Sequence, residues 1–214
     1  MKVYFLSGIC VNCKMFDKII LPDGYDKEYI EWLDPQDESI EEYAHRMAAA
    51  IATDEPFIMV GYSMGGFIMQ EINRFLKPEK NILISSAKLK DEIPLLFRFA
   101  SKTHLNKHIV KFLGNNVEKF ARLLASLMFS MTPDEISLLV SFTSKNYLQW
   151  AVYQVTEWKP KAECHNLYHI HGTKDRIFPF RRIKNAFVVE GGDHIMIYRK
   201  PEEVSRIITQ VLLL

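Results

Sequence analysis

The chain has 214 residues, 48% of them apolar, and a formal charge of +1. That length supports one domain with a full core and is short for two. Near-balanced charge argues against an electrostatic nucleic-acid binder, and no apolar run reaches membrane-spanning length.

Residues 2–6 read as a strand entered almost at once. The apolar start is too short for a secretory signal. With only three cysteines, a reducing, cytoplasmic location is the expectation. Cys10 and Cys13 follow the strand, just before and within the first turn of a helical stretch over 11–19. This is the layout of a thioredoxin-type redox pair. The simpler alternative is two small residues in a loop and a first turn. A structural zinc site wants four ligands, and no second Cys pair exists. A second strand is expected over 28–33. Ser39 and Glu42 then form a capping-box start for a helix over 39–52. Further strands are expected over 56–61, 80–85, 166–171 and 185–190, and helices over 64–76 and 201–213. Pro201 followed by Glu202 and Glu203 suits a first helical turn.

Alternating strands and helices predict a mostly parallel, doubly wound α/β sheet of about six strands. The section 88–158 breaks the alternation with helical spacing over 91–102, 116–129, 132–144 and 146–158. Thr132 to Glu135 is another capped start. Because two strands must follow to finish the sheet, this section reads as an insertion in a single domain spanning 1–214.

The apolar run Pro56–Val60 leads into Gly61-Tyr62-Ser63-Met64-Gly65-Gly66 and then a helical stretch. A buried strand, a Gly-x-Ser-x-Gly turn and a helix form a nucleophile elbow, which holds the serine hydroxyl at a strained, exposed tip. Side chains at positions 61 and 65 would collide with the strand or the helix. A Gly-rich turn with no chemistry is the bland alternative. Context weighs against it. Asp175 lies on the loop after the strand 166–171, and His194 follows Gly191 and Gly192 after the strand 185–190. Ser63, Asp175 and His194 therefore occur in the order a triad on this turn requires. Asp175 alone would read as a turn or cap residue. Asp193 is a poor substitute, since adjacent side chains diverge in an extended loop. Among the other histidines, His45 belongs to a polar helix face, His104 and His108 to a helical stretch, and His169 and His171 to a strand.

These motifs resemble the α/β-hydrolase superfamily: the elbow 61–66, the acid loop His171-Gly172-Thr173-Lys174-Asp175 and the histidine loop Gly191-Gly192-Asp193-His194. The resemblance implies a small member with a helical cap between the fourth and fifth strands, and with the first strand beside the third. It implies serine esterase or thioesterase chemistry, with Ser63, His194 and Asp175 as the catalytic set. The backbone N–H of Met64 and of Ile9 would form the oxyanion hole, with Gly8, Cys10 and Tyr62 near the substrate. Many relatives carry His-Gly where this chain has Ser7-Gly8. The side chains of Tyr62 and Met64 read as packing beside the elbow. No metal or organic cofactor is implied.

The cap is rich in large apolar groups, among them Leu96, Phe112, Phe120, Leu124, Leu127, Met128, Phe129, Met131, Phe142 and Trp150. Most must be helix packing. A minority lining a pocket would suit an apolar acyl ester or thioester. Lys88, Lys90 and Arg98 read either as a solvated face or as attraction for an anionic substrate. Two other functions compete with hydrolysis: a non-catalytic relative that binds a ligand or partner in the same pocket, and a thiol redox protein using Cys10 and Cys13.

Overall fold

A computed structural model describes residues 1–103, 119, 122, 123, 125, 126, 129–141, 144–161 and 164–214. The expected helix over 116–129 falls mostly outside these residues. So do His104, His108, Phe112, Phe120, Leu124, Leu127, Met128 and Phe142, and the side chain of Leu96 is likewise not described.

Six strands form one sheet in the order β2-β1-β3-β4-β5-β6. They are β1 (Lys2–Leu6), β2 (Asp26–Ile30), β3 (Phe57–Tyr62), β4 (Lys80–Ile84), β5 (Leu167–Gly172) and β6 (Ala186–Val189). Every pairing is parallel, and β1 lies between β2 and β3. This is the α/β-hydrolase fold, with the sheet order expected for the first and third strands. Every residue of β3 is buried, which explains its continuous apolar run, since a central parallel strand has no solvent face. Two apolar clusters cover the two faces of the sheet. One gathers α1 (Ile40–Ala48) and α2 (Met64–Ile72). The other gathers the last helix, Pro201–Leu212, and the loop after β1.

The other α-helices with bounds among the described residues are α3 (Leu95–Thr103), α4 (Pro133–Leu139), α5 (Lys145–Glu157), α6 (Met196–Arg199) and α7 (Pro201–Leu212). Helices α3 to α5 lie between β4 and β5 in the chain. The Ser39/Glu42 and Thr132/Glu135 capping boxes form as expected, each with the side chain and the backbone N–H exchanged reciprocally. The helix expected over 91–102 is split. A short 3-10 turn covers Lys90–Glu92, and α3 begins only after Pro94. Proline disfavours helical geometry in the residue before it.

The helix expected over 11–19 is only a 3-10 turn, Cys13–Phe16. Its would-be first turn is bonded elsewhere. Val11 bridges Val140, Asn12 N–H donates to Leu139 O at 2.9 Å, and Ser141 N–H donates to Cys10 O at 2.9 Å. The loop after β1 is thus stitched to the end of α4, with Cys10 in a left-handed turn (φ 55°) and Asn12 extended rather than helical.

His169 and His171 are buried on β5. Burial lowers the pKa of both, with further lowering from charged neighbours, while Asp175 offsets part of the effect at His171. Each stays neutral in the fold but takes a proton in the unfolded chain below the ordinary value of 6.5. Stability is therefore full above that pH and falls below it. The loss should grow as acidification proceeds below 6.5, with His169 the larger contributor because nothing comparable to Asp175 offsets its burial. Urea unfolding midpoints across a pH series would show it, and His169→Leu should flatten the slope.

Candidate active site

The elbow explains the glycines. A Cβ at position 65 would lie 2.3 Å from Leu6 O and 2.4 Å from Ser7 O, and one at position 61 would lie 2.6 Å from the Cα of Gly66. These are backbone collisions that no side-chain movement relieves. Helix α2 consequently packs directly under the loop that follows β1. Ser63 sits at the join with φ 51° and ψ −118°, a strained conformation for a residue with a Cβ. It persists because its neighbours hold both backbone polar groups. Ser63 N–H donates to Ile84 O at 3.0 Å, and the Ser86 hydroxyl donates to Ser63 O at 2.7 Å.

Three distant side chains meet at this point. The Ser63 Oγ lies 3.1 Å from His194 Nε2, and His194 Nδ1 lies 2.9 Å from Asp175 Oδ2. All three are buried. The other Asp175 oxygen accepts the N–H groups of Ile177 at 2.8 Å and Phe178 at 2.9 Å. Burial alone would raise the pKa of Asp175. The charge and hydrogen bond of His194, with His171 and the backbone donors, outweigh it and hold the carboxyl below its usual range. Asp175 is thus an ionised acceptor, and it fixes the ring orientation of His194.

The imidazole is walled by aromatic rings. Phe129 stacks at 5.1 Å between centroids, Phe178 at 5.8 Å, and Tyr62 lies at 5.4 Å. Asp193, next in sequence to His194, turns away and pairs with Arg199. The same guanidinium binds Glu135 on α4 twice and donates to Ser130 O at 2.8 Å. The histidine loop is thereby tied to the helical section between β4 and β5.

Ser63 and His194 open onto a cavity of about 190 Å³. Its lining is apolar, drawn from the loop after β1 (Ile9, Cys10, Val11), from α2 (Met64, Phe67) and from α5 (Leu148, Val152, Val155). Phe97, Phe129 and Met131 complete the side formed by the helical section. Of the residues singled out in the sequence, Ile9, Cys10 and Met64 reach this cavity. Gly8 and Tyr62 stand behind it. Tyr62 is fully buried, and a Cβ on Gly8 would lie 2.7 Å from its ring and 3.3 Å from the Ser63 Cβ. The absence of a side chain lets the loop close over both. That loop is held in turn by the Trp32 indole N–H, which donates to the Ser7 hydroxyl at 2.8 Å and to Gly8 O at 3.1 Å.

Sequence reasoning places His171 on a strand with no role at the site and does not single out Phe178. His171 Nε2 donates to Phe178 O at 2.8 Å and lies 3.6 Å from Asp175 Oδ2. Its only sequence signal is its spacing of four from the acid. The stacking of Phe178 on His194 has no local signature, since strand pairing alone brings these loops together.

The sequence model of an alpha/beta hydrolase family matches residues 23–207. No curated protein matches the sequence. Among solved structures, a thermophilic esterase from Thermogutta terrifontis, with malate bound, superposes with a TM-score of 0.73 and 14% identity, over 99% of this chain and 89% of its own. A hydrolase from Pseudomonas aeruginosa gives 0.68 at 12% identity, over 99% and 89%. BioG from Haemophilus influenzae gives 0.59 at 14%, over 92% and 90%. At such identities the likeness to solved structures carries the fold alone. The family match covers most of the chain, from before β2 into α7, and the chain belongs to the alpha/beta hydrolase family.

Proposed function

We propose that this protein is a serine hydrolase that cleaves a carboxylic ester or thioester with an apolar acyl group. The reading rests most on one observation: an unbroken hydrogen-bond relay from Asp175 through His194 to Ser63, ending at the wall of an apolar cavity. Neutral serine is a weak nucleophile and needs such a base. His194 Nε2 takes the hydroxyl proton as Ser63 Oγ attacks the carbonyl carbon. The proton then passes to the departing alcohol or thiol, leaving an acyl-serine. A water, deprotonated by His194, attacks that acyl group and releases the acid. Asp175 orients the ring and stabilises the imidazolium in both halves.

The oxyanion needs donors aimed at it. Met64 N–H is the first amide of α2 and has no intrahelical acceptor. Ile9 N–H is also without a backbone acceptor among the described residues. Both residues border the cavity beside Ser63, which supports them as the two donors. Residues 88–158 serve in this reading as a cap within one domain, with Cys10 contacting the acyl group and Gly8 and Tyr62 supporting the loop from behind.

The redox alternative finds no support. Cys10 and Cys13 are buried, and burial pushes both thiols up to about 12. A working redox pair needs the opposite shift.

A fluorophosphonate probe tests the proposal. The wild type should be labelled, and Ser63→Ala should not. Labelling that persists in Ser63→Ala, or folded wild type left unlabelled, would overturn it. The cavity makes a second demand. Along a series of straight-chain aryl esters, kcat/KM should rise about fourfold per added methylene until the space fills. A flat series would rule out the apolar acyl site.

A further inference from the structure

A second concavity adjoins the acyl cavity and differs from it in chemistry. It is walled by Arg176, Arg181 and Arg182, and it shares Phe97 and Ile177 with the apolar cavity. Residues 174–184 carry five bases and one acid, a net of +4 in a chain whose total is +1. That single acid, Asp175, is engaged by His194. The nearby Glu92 is buried, and its oxygens accept backbone N–H groups from Lys88, Leu89 and Lys184. Among the described residues, no carboxylate lies within ion-pair distance of Arg176, Arg181 or Arg182. The arginines are nevertheless held by a firm backbone. Arg176 lies between Asp175 and Ile177, whose N–H bonds the acid, and Arg181 and Arg182 ride a hydrogen-bonded 3-10 turn closed by Arg182 N–H to Pro179 O at 2.9 Å. Lys88 spends its ammonium on the carbonyls of Lys184 and Asn185, and Arg182 donates one guanidinium N–H to Asp91 O at 3.4 Å, so Arg176 and Arg181 are the two with no side-chain hydrogen bond among the described residues.

We infer that this arginine-walled concavity binds an oxyanion carried by the substrate, so that the enzyme favours anionic esters or thioesters over neutral ones. Guanidinium groups suit this, because their forked donors match the geometry of both phosphate and carboxylate. The shared wall of Phe97 and Ile177 places that charge one side chain away from the acyl cavity. The inference rests on the serine hydrolase reading for its chemistry, though not for its binding. The oxyanion has two possible sources, a phosphate on the leaving group or a carboxylate at the far end of the acyl chain.

Two substrate pairs separate them. One pair is S-butyryl-pantetheine against S-butyryl-phosphopantetheine. The other is methyl hexanoate against monomethyl adipate. The readout is the ratio of kcat/KM, charged over neutral, within each protein, so a general loss of activity cancels. In the wild type one pair should favour the charged member about tenfold, and the double variant Arg176→Gln/Arg181→Gln should bring that ratio near unity. Raising the ionic strength should erode the wild-type ratio in the same direction. A preference in the first pair assigns phosphate, and one in the second assigns carboxylate. Ratios that match between wild type and variant in both pairs would overturn the subsite and leave the hydrolase reading standing. If the wild type cleaves none of the four and takes no fluorophosphonate label, that reading fails instead. Calorimetry of phosphopantetheine and adipate against pantetheine and hexanamide, on Ser63→Ala with and without the arginine substitutions, then decides the subsite alone. Tighter binding of a charged ligand that the substitutions abolish supports it, and equal binding overturns it.

Discussion

Ser63→Ala should lower kcat/KM for an aryl ester by roughly 10⁴–10⁶-fold with the fold intact. Alanine keeps the Cβ that already tolerates φ 51°, so no new backbone strain is added. The bonds to Ile84 O and from the Ser86 hydroxyl involve only the main chain at residue 63, and they survive the change. Only the hydroxyl facing His194 Nε2 is lost. His194→Ala should cost a similar factor for a different reason, since the serine remains but nothing takes its proton. Because the two groups act in one step, the double variant should be little worse than either single one. Losses that instead multiplied would mean independent contributions, and the relay would be wrong. His194→Ala should also lower stability, as it empties space between Phe129, Phe178 and Tyr62. Comparing unfolding midpoints of the two variants separates that packing effect from chemistry.

Much of this arrangement was readable from local chemistry. The elbow is legible because backbone collisions at positions 61 and 65 leave glycine as the one residue that fits. The sheet is legible because central parallel strands read as unbroken apolar runs, as in β3. The Ser39 and Thr132 caps are legible because a capping box is a contact within four residues. What escaped were features set by distant chain segments. Val11 and Asn12 carry helical spacing, yet their backbone is claimed by Leu139 and Val140, far along the chain. The boundary of β2 falls at Asp26–Ile30, earlier than the expected 28–33, because pairing with β1 sets its register. Charge near the site was sought at Lys88, Lys90 and Arg98. The concave basic surface comes instead from residues 176–182, brought beside Phe97 by the crossover from β5 to β6.

Asp175→Asn should reduce kcat by about 10⁴-fold while leaving stability close to wild type. The reason lies in which atoms the side chain must serve. Oδ1 accepts two buried N–H groups, from Ile177 and Phe178, and Oδ2 faces His194 Nδ1. An amide placed here can keep its oxygen on the two backbone donors, which directs its NH₂ at the imidazole. Flipping it would point two donors at two donors and leave buried N–H groups unpaired, at about 1–3 kcal/mol each. The backbone therefore dictates the orientation, and Nδ1 of His194 becomes an acceptor. The ring proton moves to Nε2, and the lone pair that should receive the serine proton is gone. KM should change little, because residue 175 does not line the apolar cavity beside Ser63. Nitrogen chemical shifts of His194 should report the switched tautomer. Asp175→Ala, by contrast, leaves both N–H groups unsatisfied and should lose stability as well as activity. An Asn variant that retains activity within tenfold would show that Asp175 does not set the tautomer, and the assignment of the acid would fall.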